Sequence, residues 1–128
     1  MGFTNPYQQY NNNKILTATP GELTLMLYEG AIKFGNLSIQ AIEVGDIEKA
    51  HKNIVKVQRI IDEFQATLNR KYSVAEDFDR VYNYLLKRLI EANLNKDKEI
   101  MEEVVMHLRS MRDNWKEVMK KAKMESVQ

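Results

Sequence analysis

Cysteine is absent from the 128 residues, and the two prolines and five glycines all fall within the first 45 positions. Without cysteine there is no disulfide framework, no thiolate metal site and no thiol nucleophile, which suits a reducing compartment. From Asp46 onward the chain has neither breaker. A β-sandwich or barrel needs a turn roughly every 8 to 12 residues, usually built on glycine or proline, so an all-β fold is excluded and long helices remain. No run approaches the ~18 uninterrupted apolar residues of a membrane span, and the N-terminus lacks the basic-then-apolar layout of a secretory signal. The expected location is the cytoplasm, with no membrane insertion.

No sign of charge dominates. Nineteen Lys and Arg against 18 Asp and Glu give a net charge of +1, which leaves no electrostatic footprint for nucleic acid or lipid. Only Trp115 to Met124 leans basic, with Lys116, Lys120, Lys121 and Lys123 against Glu117. That bias is expected to complement a helix C-terminus and keep it soluble. The composition, 44% hydrophobic and 29% charged, is that of one globular domain, large enough to bury a core without staples.

Residues 1–18 form a distinct arm, rich in amides (Asn5, Gln8, Gln9, Asn11 to Asn13), nearly free of charge, and dotted with Phe3, Tyr7 and Tyr10. Amide tracts resist packing, yet aromatics at near-helical spacing cling to apolar surface. A single domain over 19–125 follows. Thr19, Pro20 and Glu22 predict a capped helix start, with Gly45 as its stop. Two apolar stripes run along this first helix. Leu23, Met26, Leu27, Ala31, Phe34, Leu37, Ser38 and Ala41 are assigned to the core, and Leu25, Tyr28, Ile32, Ile39 and Ile42 to a neighbouring face. Asp46 predicts the second helix, whose Ile47, Ala50, Ile54, Val57, Ile61, Phe64 and Leu68 alternate in steps of three and four. Ser73 and Glu76 predict a capping box for the third, and Asn95 or Asp97 the start of the fourth. Met101, Val104, Leu108, Met111, Trp115, Val118 and Ala122 repeat the 3-4 spacing there. Short connections between amphipathic helices predict an all-α, antiparallel up-down-up-down four-helix bundle with a short N-terminal arm or helix.

Catalytic chemistry is thinly represented. Glu48 and His51 make one Glu-x-x-His pair, but a di-metal bundle site needs two such pairs and two further glutamates, so no metal or other cofactor is expected. His51 beside Lys49 and Lys52 could accept a phosphoryl group, although apolar Ile54 stands where a basic partner would help most. There is no glycine-rich phosphate loop. An enzyme is not expected. The unabsorbed feature is apolar surplus: Leu25, Tyr28, Ile32, Val55, Ile60, Leu86, Ile90, Ile100, Val105 and Met106 lie beyond the seams. They either complete the core or line a groove for a partner. Five methionines in the last 28 residues suit adaptable surfaces and core filling equally.

One combination is more specific. Tyr10, then Thr17-Ala18-Thr19-Pro20-Gly21-Glu22-Leu23 and Met26-Leu27-Tyr28-Glu29-Gly30-Ala31-Ile32, resembles the flagellin-specific export chaperones of bacteria. Gln58, Ile61, Leu68, Tyr82 to Tyr84, Leu89-x-x-Ala92-Asn93, Leu108-Arg109 and Trp115 extend the resemblance over nearly the whole chain. It implies a cytoplasmic protein, without ATP, that holds the disordered C-terminal segment of flagellin, prevents its polymerisation and delivers it to the flagellar type III export gate. It also implies an arm that occupies part of the groove, making Tyr7, Tyr10 and Ile15 candidate plugs, with Leu25, Tyr28 and Ile32 as groove residues. Relatives often carry glycines where this chain has Arg70-Lys71-Tyr72-Ser73. The alternatives are a bundle that uses its surplus surface to dimerise with itself and a histidine phosphotransfer domain.

Overall fold

A computed structural model describes residues 14–127, and no strand occurs among them. After a helical turn at 14–17 come α1 (Pro20–Glu43), α2 (Ile47–Thr67), α3 (Ala75–Asn95) and α4 (Lys98–Val127). Thr19 is extended, as a residue before proline must be, and its hydroxyl accepts from the Glu22 amide at 3.1 Å. α1 ends in a Schellman closure: the Asp46 amide donates to the Ala41 carbonyl at 2.8 Å and Gly45 to Ile42 at 3.1 Å. Gly45 sits at φ +76°, where a Cβ would be strained. Asp46 then caps α2 through the Lys49 amide, and Asp97 caps α4 through the amides of Glu99 and Ile100.

The Ser73–Glu76 capping box does not form. α3 starts at Ala75 with Val74 as its helical N-cap and no side-chain cap. The Tyr72 carbonyl instead accepts from Ala75 at 3.0 Å, and Glu76 and Asp77 complement the unpaired amides of the first turn.

Each helix packs on its chain neighbours, and α4 closes the ring against α1. The pairing is antiparallel throughout. Along α1, Gly21, Glu29, Gly35 and Glu43 meet Trp115, Arg112, Val105 and Lys98 in turn. Gln65 reaches Asn83 and His51 reaches Asn93 between α2 and α3. Between α3 and α4, Tyr84 and Arg88 both donate to Glu103 at 2.8 Å. Arg88 first, then Tyr84, hold the Glu103 carboxyl below the usual carboxylate range.

The core joins all four helices: Ile54, Val57 and Ile61 of α2, Leu85 and Leu89 of α3, and Met101, Val104 and Leu108 of α4 are fully buried. From α1 it takes Tyr28, Ala31, Ile32, Gly35, Ser38 and Ala41, a face of mostly small residues. A Cβ on Gly35 would stand 2.6 Å from Val105 Cγ2, so α4 lies closer to α1 than any larger side chain permits. Tyr28, Phe64 and Tyr82 stack in series, with centroids 4.6 and 5.7 Å apart, and the two tyrosines hydrogen-bond each other.

Gly35→Ala is therefore expected to destabilise the bundle by about 1–3 kcal/mol, because overpacking a β-branched neighbour outweighs alanine's helix preference. Urea unfolding checks this, and Val105→Ala in the same chain should recover part of the loss. A second expectation concerns alkaline pH. Burial, then the Tyr28 charge and hydrogen bond, push the Tyr82 phenol above its usual 10. Folding holds the neutral form, so this stability is fully present below the unfolded value near 10 and is lost as pH rises beyond it. Tyr82→Phe should flatten the fall in the urea midpoint between about pH 9 and about pH 11.

Candidate functional site

The apolar seams outlast the core at both ends of the bundle, and at the end holding Gly45 it is Ile47 that is left 54% exposed. Where α1 and α3 begin and α2 and α4 end, Phe78 and Val81 on α3 are 39% and 41% exposed, and Val118 on α4 is 52% exposed. Their 3-4 spacing continues the buried positions, yet the described chain covers them only in part. Residues 120–125 of α4 are helical and all exposed. Isolated helix ends of this kind gain little from propensity alone.

An apolar concavity lies at the end where α1 begins. Ile15, Pro20, Leu23, Thr24, Met26, Leu27, Glu63 and Thr67 line a cleft of about 620 Å³ between the start of α1 and the end of α2. Thr19 and Pro20 make this shape, since the forced extension before proline breaks the chain and turns 14–17 over the mouth. Its hydroxyls are spoken for: Thr24 donates to the Pro20 carbonyl at 3.1 Å and Thr67 to Glu63 at 2.9 Å. What remains is apolar wall with one carboxylate at the rim, a surface that recognises hydrocarbon rather than performing proton or group transfer.

Of the expected site residues, Tyr7 and Tyr10 lie outside the described residues. Ile15 lines the cleft, half-exposed. Leu25 is on the other flank of α1, in a depression with Glu22, Met119 and three lysines. Tyr28 and Ile32 are not groove residues: they are 5% and 6% exposed and belong to the core. The core of α1 thus draws on both stripes, Ala31, Ser38 and Ala41 from the first and Tyr28 and Ile32 from the second. The large residues assigned to the core, Leu23, Met26 and Leu27, line the cleft, because α4 settles against the small side chains and carries Tyr28 and Ile32 inside with them. Ala31, Gly35, Ser38 and Ala41 at steps of four, three and three were the signal in the sequence. Glu63 and Thr67 were not singled out, being ordinary polar positions on α2.

His51 is held across the α2–α3 groove by Asn93, whose amide nitrogen lies 3.0 Å from Nδ1. Glu48 pairs with Lys52 at 3.3 Å. Among the described residues no cluster of three or more His, Cys, Asp or Glu could hold a metal ion, and no helix is long and apolar enough to cross a membrane.

An all-α bundle with an apolar cleft beside its N-terminal segment agrees with sequence comparison. Residues 3–122 match the family described as flagellar protein FliS. The chain belongs to the FliS family. It is 44% identical to the flagellar secretion chaperone FliS of Bacillus subtilis over 91% of this chain and 88% of that one. It is 30% identical to the flagellar secretion chaperone FliS of Salmonella typhimurium, covering 84% and 82%. A solved structure titled as a flagellar chaperone from bacteria superposes with a TM-score of 0.75 at 17% identity, covering 90% of this chain and 95% of its own, and so shares the fold. FliS relatives are named as chaperones, and this chain is not an enzyme.

For this FliS protein, Ile32→Asp is expected to cost at least about 3 kcal/mol by burying an unpaired charge, whereas Leu23→Asp costs less than about 1 kcal/mol. Thermal unfolding of the two variants checks that Ile32 belongs to the core and Leu23 to the cleft wall.

Proposed function

We propose that this protein is a cytoplasmic export chaperone that binds the disordered C-terminal segment of flagellin. It holds the segment apart from other flagellin subunits until delivery to the flagellar type III export gate. The observation that carries the reading is the apolar cleft of Ile15, Leu23 and Leu27 at the unfinished end of a FliS-family bundle. A segment that assembles through helix packing in a filament carries an apolar face, and a groove of matching chemistry occupies that face first. Ordering a disordered segment costs free energy, so the contact must be long. The exposed Phe78, Val81 and Val118 extend apolar surface beyond the cleft, and Leu25 continues it on the α4 side.

In this reading Tyr7, Tyr10 and Ile15 act as plugs that the client displaces. The 1–18 arm then competes with flagellin for one surface, which keeps the free chaperone soluble.

The test is titration of the full chain with a flagellin C-terminal segment, followed by calorimetry. The expected result is a stoichiometric complex at micromolar concentration or below, weakened at least about tenfold by Leu23→Asp, which removes one apolar anchor worth about 1.5 kcal/mol or more. Absence of a complex, together with a stable homodimer, would refute the proposal in favour of self-association.

A further inference from the structure

We infer that Glu63 is a specificity residue of the apolar cleft: its carboxylate selects a client segment that carries Lys or Arg beside its apolar stretch. This rests on the proposed flagellin reading. Ile15, Pro20, Leu23, Met26 and Leu27 make the hydrocarbon wall, and the polar lining is Thr24, Glu63 and Thr67. Both threonine hydroxyls donate to carbonyls of their own helices, those of Pro20 and Glu63. The Glu63 side chain is exposed, and its carboxylate has neither an ion pair nor a donor among the described residues. It is the one charge on an otherwise apolar wall.

Nothing close by neutralises it. The next base on its own helix is Arg59, one turn earlier, and a base on the N-terminal side of an acid is the weaker order of an exposed helical pair. Neither Arg59 nor Lys14, beside Ile15, is paired with Glu63. α2 has no basic residue in its last turn, so the negative end of its dipole is not offset from within the helix. Arg70, from the connection beyond, reaches the Gln65 carbonyl at 3.2 Å while it pairs with Asp79. The rim is thus negative where the wall is apolar. A long basic side chain meets both demands, its methylene stem lying on the wall and its charged head on the carboxylate. The chain's own arm cannot supply that group: residues 1–13 hold aromatics and amides but no charged side chain. Arm and client therefore compete for the same wall on apolar contact, and Glu63 adds Coulomb attraction to the client's side alone.

The experiment is calorimetric titration of the full chain, unmodified and as Glu63→Gln, with the flagellin C-terminal segment and with a copy of that segment whose Lys and Arg are replaced by Gln. At low salt Glu63→Gln is expected to weaken binding of the unaltered segment about threefold to fivefold, and the Gln-substituted segment should bind both chains equally. High salt should close the gap between the two chains. Glu48→Gln, at the other end of α2, should change nothing. Equal affinities of the two chains for the unaltered segment at low salt would overturn the inference while leaving the proposed function standing. A loss that persists for the Gln-substituted segment would show that Glu63 shapes the wall without pairing, and would overturn it as well. A homodimer of the unmodified chain that Glu63→Gln dissociates, with segment binding unaffected, would assign the carboxylate to a second copy and likewise overturn it. Failure of the unmodified chain to bind the segment at all would refute both the inference and the proposed function.

Discussion

The contact between Gly35 and Val105 sets the rest of the molecule. Because a Cβ has no room there, α4 lies close along the small-residue face of α1. That choice rotates α1 so that Tyr28 and Ile32 point inward and Leu23 and Leu27 point toward the margin with α2. The aromatic series through Tyr28, Phe64 and Tyr82 follows from the same rotation and ties α1 to α2 and α3. The cleft is thus a consequence of how the core closes elsewhere, and no separate loop is needed to build it.

Closure is uneven along the bundle. At the end holding Gly45 and Asp97, short capped turns join the helices and Lys98 bridges to Glu43 at 3.1 Å. At the other end α1 begins at a proline break, α2 and α3 are joined by a longer connection braced by the Arg70–Asp79 pair, and residues 120–125 of α4 are exposed. Apolar positions at core spacing stay partly in water there, as Ile47 does at the Gly45 end. A protein that needed only stability would gain by burying or replacing them. In the proposed function the bundle is already ordered, so the free energy of ordering falls on the client alone.

Helix number, order, most caps and the heptad seams of α2 and α4 were legible from residue spacing, because those properties are local to each helix. Thr19, Asp46 and Asp97 cap where their side chains can reach the next free amides, with no help from the rest of the fold. Family membership was legible in the Thr17 to Ile32 block. The facing of α1 was not. Two apolar stripes are equally good amphipathic patterns in isolation, and only the depth to which α4 settles at Gly35 distinguishes them. Nor could spacing say where the seams stop being covered: Val81 and Val118 obey the same repeat as Leu85 and Leu108, yet are 41% and 52% exposed. The sequence by itself determined which segments are helical and that they pack as a bundle. Tertiary structure alone decided which apolar faces remain for a partner, since exposure depends on distances between helices that no single helix encodes.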